Sequence, residues 1–470
     1  VNAAAIPAAL DRFAEIWALD FEYIAPDGES VDPVCCVARE LRSGREVRLW
    51  DQDLRTSPSP IPVDGLLLSY AAPAELKSML VLGWPMPAHV LDLYAEFLCF
   101  TNGRRDVLGL KKAGLLAALS YFGLSHLDPT TKHDWQQRIL QGRPYTDAES
   151  AGILDYCATD VVALEHLLPA LVTRMQTRPH WLDHALLRGR YMRAVAAMEH
   201  RGVPIDAEML ARLSTHWHAI KVELIREICA DIPIFEGATL KHGRFARWLD
   251  EQGIPWPRTP CGRPATDEDT FKEMVKVYPQ VAPIREVMSH LAKLRVSDLA
   301  VGRDGRNRAW LGPFVTHTGR NAPKAAEFIF APSVWLRHLI KPAPGRAIAY
   351  IDFSSQEFGI AAALSGDELM QKAYLSGDPY MSFAVEAGLA PPGATKQTHK
   401  HVRDRCKALV LGTLYGQKER SLAHKLSALL CEARELLQAH RRTFRTFWAW
   451  SQRSTDRAML FNHLDTIFGW

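Results

Sequence analysis

Cysteine is sparse and unclustered in this 470-residue chain: Cys35, Cys36, Cys99, Cys157, Cys229, Cys261, Cys406 and Cys431 form no CxxC pair and no Cys/His grouping at zinc spacing. That excludes a disulfide-stapled secreted domain and a zinc-finger framework, and predicts buried free thiols in a reducing compartment. No apolar run approaches the ~20 residues of a membrane span. The opening "VNAAAIPAALDRF" lacks the basic-then-apolar order of a secretory leader, so a cytosolic protein is expected. Internal repeats and low-complexity tracts are absent. Charge of one sign is also lacking, with 56 Lys and Arg against 53 Asp and Glu, a net +3 that permits a nucleic-acid partner without demonstrating one. What remains is an ordinary globular composition, 47% hydrophobic and 23% charged, long enough for two or three domains.

The first part reads as α/β. "EIWALDFEYI" (15–24), "PVCCVARE" (33–40), "REVRLW" (45–50) and "DGLLLSY" (64–70) are strand-like, and "PAELKSMLVLG" has helical spacing. A long helix is predicted over 146–168. Thr146 and Glu149 form its capping box, and Ile153, Cys157, Val161, Leu164 and Leu168 share one face. Around 170–190 a mixture of Pro, Arg and His reads as a domain boundary. Mostly helical sequence follows, then a loop-rich stretch at 302–324 carrying Arg303, Arg306, Arg308, Arg320 and Lys324, and amphipathic helices dominate from 396 onward.

Two constellations carry chemistry. In a strand, residues i and i+2 face the same way, so Asp20 and Glu22 in "ALDFEYI" present two carboxylates together. In a helix, i and i+4 stack, which puts Tyr156 and Asp160 of "YCATD" on one face. Hard cations such as Mg²⁺ take carboxylate oxygens, and two of them ~4 Å apart activate water and steady the leaving oxygen in phosphodiester cleavage. In this order, within one α/β region, the two pairs resemble the DEDD exonucleases of the tyrosine subclass, and specifically the 3′–5′ proofreading domain of family A DNA polymerases, over about residues 10–170.

The resemblance implies an RNase H-like fold in which Asp20, Glu22, a third carboxylate and Asp160 hold two Mg²⁺ or Mn²⁺ ions, while Tyr156 orients or deprotonates the attacking water. By the family's spacing the third carboxylate is Glu75, a Glu where the family has Asp. Asp92 in "HVLDLYAEFL" is the alternative.

The second constellation is "RHLIKPAPGRAIAYIDFSSQEFGIAAALSGD" (337–367), an apolar strand-like run, an Asp, an aromatic residue, and a Glu five positions on. It resembles motif A of family A polymerases. In "HKHVRDRCKALVLGTLYGQ" (399–417), Arg403, Lys407, Leu411 and Tyr415 recur every four residues, a stripe drifting ~40° per step. It is similar to the family's motif B except at Leu411, where the family has an aromatic residue, which bears on discrimination by sugar type. "THTGRNAPK" (316–324) resembles the segment that meets the primer terminus.

What the resemblance implies is a DNA-directed DNA polymerase active in DNA replication or repair, working as a monomer on primer-template DNA, dNTPs and a single-stranded 3′ end. Asp352 would be a catalytic metal ligand for two Mg²⁺ ions, and Glu357, Arg403, Lys407, Leu411 and Tyr415 would form the nucleotide site. Arg320, Lys324, Arg303, Arg306 and Arg308 would contact DNA. The implied division is an exonuclease domain over 1–176, thumb and linker helices over 177–310, and palm and fingers with a palm sheet over 311–470. The family's third polymerase motif, a His-Asp-Glu hairpin carrying a second aspartate, is not found, and "TIFGW" (466–470) resembles a segment that precedes it. The expectation is a chain that stops inside the polymerase domain and extends primers poorly or not at all.

Overall fold

The computed structural model of the protein describes residues 6–102, 104, 109, 113–125, 128–293, 299–331 and 334–470. It divides into two units, Val1–Ala347 with Ile467–Trp470, and Ile348–Thr466.

The first unit is built on a five-stranded sheet: β1 (Ile16–Ile24), β2 (Asp32–Glu40), β3 (Glu46–Trp50), β4 (Leu66–Ser69) and β5 (His89–Asp92), in the order β3-β2-β1-β4-β5. β1 to β3 form an antiparallel meander, whereas β1–β4 and β4–β5 pair in parallel. Between the strands and after them come α1 (Asp51–Thr56), α2 (Pro73–Val81), α3 (Leu93–Thr101), α4 (Leu115–Tyr121), α5 (Pro129–Leu140), α6 (Asp147–Met175) and α7 (Trp181–Arg201). Both faces of the sheet are covered. Ile16 and Ala18 of β1 join α6 residues Ile153, Cys157, Val161 and Leu164 in one core, while Trp17, Leu19 and Phe21 join Leu76 and Met79 of α2 and Met192 of α7 in the other. The period of two therefore turns Asp20 and Glu22 towards α6. The expected capping box is formed: Thr146 Oγ1 accepts from Glu149 N at 3.2 Å and Thr146 N donates to Glu149 Oε2 at 2.7 Å. α6 runs through Pro169 to Met175, seven residues past its expected end.

The expected boundary near 176 is not a division between the two units. α7 packs on α2 and β5 so closely that a Cβ on Gly189 would fall 1.9 Å from the Val90 carbonyl oxygen. The polar, Pro-containing sequence there makes a surface turn, with His180 left-handed at φ 55°, and then the chain returns to the sheet. Beyond it, α8 (Ala207–Ile228), α9 (His242–Glu251), α10 (Glu268–Val277) and α11 (Ala282–Lys293) share a smaller core of Ile225, Phe245, Trp248, Phe271 and Ile284.

In the second unit α12 (Gln356–Ser365), α13 (Glu368–Leu375), α14 (Pro379–Glu386), α15 (Lys400–Leu414), α16 (Glu419–Leu426), α17 (Leu430–Thr443) and α18 (Arg445–Phe461) enclose Phe358, Met370, Phe383, Leu409 and Phe444. The strand expected before Asp352 is absent among the described residues. Residues 347–353 take part in no ladder, and Tyr350, Ile351 and Phe353 are 81%, 87% and 74% exposed. An apolar run of this kind becomes a strand only against neighbours that satisfy its N–H and C=O groups, and no described segment supplies them, so the palm sheet is not formed here. Among the described residues no helix is long and apolar enough to cross a membrane.

His440 of α17 is fully buried among the rings of Phe383, Phe444, Phe447 and Trp448. Its Nδ1 accepts from the Trp448 indole N–H at 3.0 Å, which leaves the proton on Nε2, where it has no partner among the described residues. Burial pushes the imidazole down to about 3. The unfolded chain therefore takes up the proton first, and stability conferred above pH ~6.5 is lost as the pH falls towards 3. Acidification from pH 6.5 to 5 should weaken this unit by roughly 2 kcal/mol. Urea midpoints at the two pH values check this, since the His440→Phe variant should lack that increment.

Candidate functional site

The carboxylates of β1 and α6 converge. Ligand oxygens of Asp20, Glu22 and Asp160 all lie within 4.8 Å of one another, the one grouping of its kind among the described residues. Glu75, on the first turn of α2, is not in that grouping but stands at its edge. It is buried, accepts from Phe21 N at 2.9 Å, and feels the charges of Asp20 and Glu22. Asp92 occupies a different position. It caps α3 and is saturated by backbone, accepting from Ala71 N at 3.0 Å, Ala72 N at 2.9 Å, Tyr94 N at 2.9 Å and Ala95 N at 3.4 Å. Glu75 thus lies beside the carboxylate grouping, whereas Asp92 serves as a helix cap.

Burial, and after it the neighbouring carboxylates, pushes Asp20 up to about 8 and raises Glu22 and Glu75 well above the usual range. Asp160 is raised by burial against the opposing pull of Lys132. Carboxylates this close ionise together only with cations to balance them, and an all-oxygen donor set suits Mg²⁺ or Mn²⁺. Tyr156, one turn before Asp160, is buried on the same side. Burial and the charges of Glu22 and Asp160 hold its phenol well above the ordinary value, so it stays a hydrogen-bond donor.

Sequence reasoning missed several neighbours. Cys157 Sγ lies 3.3 Å from Asp20 Oδ2. Lys132 Nζ of α5 donates to Asp160 Oδ2 and sits 5.4 Å from the centre of the Tyr156 ring. Lys132 and Gln136 are four residues apart and so share a face of α5, a spacing visible in the sequence. That this face meets α6 is not visible there. A cleft of about 560 Å³ opens onto the cluster, lined by Asp20, Tyr70, Lys132, His133, Gln136 and Asp160 among others.

The basic stretch at 302–324 behaves differently from expectation at two positions. Arg308, with a side chain only 12% exposed, pairs with Asp304 at 2.6 Å and donates to His200 O at 2.8 Å and Gly28 O at 3.1 Å. Arg306 Nη1 donates to Arg201 O at 3.0 Å. These guanidiniums hold the chain's own carbonyls, and a phosphate would have to displace those acceptors. Gly28, at φ +80°, turns the β1–β2 hairpin into this loop, where a Cβ would come within 2.6 Å of Ala300 and Val301 backbone atoms. Arg303 pairs with Glu29 at 3.1 Å and Lys324 with Glu327 at 2.7 Å, both remaining solvent-facing. Arg320 is exposed on a turn where its N–H donates to Thr316 Oγ1 at 2.8 Å.

In the second unit, Arg403 and Lys407 of α15 both reach the Tyr380 ring, with charge-to-centroid distances of 5.3 and 5.9 Å, and Arg403 Nε lies 2.5 Å from Asp378 Oδ2. The Tyr415 hydroxyl donates to Glu357 Oε1, joining the ends of α15 and α12 across 58 residues of sequence. Leu411 packs on the unit's core. Asp352 is exposed, and no grouping of metal-ligand type includes it among the described residues.

Among curated proteins, DNA polymerase I of Aquifex aeolicus (strain VF5) is 24% identical over 349 residues, covering 68% of this chain and 58% of that protein. The thermostable DNA polymerase I of Thermus filiformis is 23% identical over 73% of this chain and 41% of its own, and DNA polymerase I of Mycobacterium tuberculosis (strain ATCC 25618 / H37Rv) is 25% identical over 71% and 38%. The chain thus spans well under two thirds of the length of these relatives. A solved structure, the POL domain of Pol1 from M. smegmatis in complex with DNA primer-template and dNTP, shares the fold with a TM-score of 0.64 at 17% identity, covering 96% of this chain and 77% of that one. Residues 251–470 match the family model of DNA polymerase family A.

Proposed function

We propose that the protein is a DNA-directed DNA polymerase with a 3′–5′ exonuclease, acting on primer-template DNA, dNTPs and a single-stranded 3′ end. The observation that carries the nuclease half is the convergence of Asp20, Glu22 and Asp160 within 4.8 Å, with Glu75 at the edge. These residues would hold two Mg²⁺ or Mn²⁺ ions, which supply an activated water and charge stabilisation at the leaving oxygen. The chain's own residues do the rest. Tyr156, kept protonated by its surroundings, donates a hydrogen bond that orients the water, and the cleft admits the strand end.

The polymerase half is supported by the family match and by the Glu357–Tyr415 contact beside Arg403 and Lys407. In this reading Arg403 and Lys407 receive the triphosphate, Glu357 lies under the sugar, Tyr415 stacks on the base, and Asp352 holds metal. Arg320, Lys324 and Arg303 contact the DNA backbone and minor groove. Residues 177–310 supply thumb-type helices, with α7 serving the nuclease sheet, and 311–470 supply palm and fingers.

A second reading, an exonuclease whose polymerase half binds duplex DNA without extending it, is favoured by one observation, an exposed Asp352 that joins no metal-ligand grouping among the described residues. Incubating the 470-residue chain with a primer-template and Mg²⁺, with and without dNTPs, separates the two. Extension that disappears in Asp352→Asn supports the polymerase. Shortening of the primer in both conditions supports the nuclease alone, and duplex binding with neither activity sinks both readings.

A further inference from the structure

Lys132 brings a fixed positive charge into the carboxylate cluster. It ion-pairs with Asp160, the two side chains being only 13% and 14% exposed, and its charge also acts on Asp20 and Glu22. Its placement is built by packing. α5 starts on Pro129 with Asp128 as its cap, accepting from Thr130 N at 2.9 Å. Arg138 Nε ties the helix to Glu149 at 2.5 Å. Trp135 lies so close over Gly152 of α6 that a Cβ there would sit 2.4 Å from the indole. A surface lysine adopting one of many rotamers would need none of this.

We propose that the Lys132 ammonium is an internal counter-ion that competes with a divalent cation for Asp160. The proposal rests on the nuclease reading above. Three clustered carboxylates repel one another, and in the protein without metal the lysine relieves that repulsion at the Asp160 corner. An ion that takes the Asp160 Oδ2 held by the ammonium must displace it or bear its repulsion at close range. Lys132 therefore sets how tightly the last ion is held, and keeps the empty cluster folded.

Mn²⁺ titration of the full chain, followed by the electron paramagnetic resonance signal of the free ion, tests this in wild type, Lys132→Met and Lys132→Arg. The weakest-bound ion of the cluster should bind on the order of ten-fold tighter in Lys132→Met, and the difference should vanish in an Asp160→Asn background. Lys132→Arg should stay close to wild type. In chelator, Lys132→Met should melt below wild type and recover when Mn²⁺ is added. If Lys132→Met does not fold, Lys132→Gln, which keeps a donor for Asp160, carries the same comparison. Equal Mn²⁺ affinity in wild type and the neutral variant overturns the role of the lysine and leaves the nuclease reading standing. No Mn²⁺ uptake by either protein overturns both.

Discussion

Asp20→Asn should slow the release of nucleotides from a single-stranded 3′ end by roughly a thousand-fold, the scale of loss when a group acting in the transition state is removed. The fold should survive. Asparagine keeps the shape of the side chain and an oxygen for the Cys157 thiol, and it lowers the like-charge density facing Glu22 and Asp160. A gel assay of 5′-labelled oligonucleotide with Mg²⁺, beside a thermal melt in chelator, reads both quantities. Wild-type degradation rates in a properly folded Asp20→Asn protein would remove Asp20 from the chemistry.

The second large effect separates two acids that look alike in sequence. Asp92→Ala strips four backbone N–H groups, those of Ala71, Ala72, Tyr94 and Ala95, of their buried acceptor. Loss of a cap is worth ~1 kcal/mol, and each buried donor left unsatisfied adds to it, so the variant should lose roughly 3–5 kcal/mol of stability. Whatever fraction remains folded should degrade DNA at a rate near wild type. Glu75→Gln should behave oppositely. Its amide oxygen can still accept from Phe21 N, so the melting temperature should move little, while 3′ degradation falls by roughly a hundred-fold. Denaturant unfolding and the same gel assay on both variants decide the matter, and a stable Asp92→Ala protein without activity would reverse the assignment.

Why sequence separates these residues poorly is physical. Asp20 and Glu22 are legible because the strand period fixes their shared face, and Tyr156 and Asp160 because the helical period does. Glu75 and Asp92 each lie near the start of a helix that follows a strand, and local pattern cannot tell an acid that caps its own helix from one that leans towards another strand. Lys132 lies 28 residues from Asp160, and the docking of α5 on α6, through Trp135 against Gly152 and Arg138 on Glu149, brings them together. The same limit explains Arg306 and Arg308, whose carbonyl partners lie more than 100 residues away. It also explains residues 347–353, whose composition is that of a buried strand but whose conformation depends on partners from elsewhere. The stretch around 176 was deceptive in the opposite sense, since a polar turn resembles a linker until the helix after it is seen to lie on the sheet.

That helix limits how the molecule can be taken apart. A fragment ending at Met175 would keep Asp20, Glu22, Glu75 and Asp160, yet it would lose Met192 and Ala196 from the core on one face of the sheet and leave Val90 without the close cover of Gly189. It would also free the β1–β2 hairpin tip from Arg308, with Gly28 O returned to solvent. Shortening the chain to the carboxylate cluster would thus discard part of the wall that holds it, and a fragment that keeps both faces of the sheet covered extends at least to Arg201.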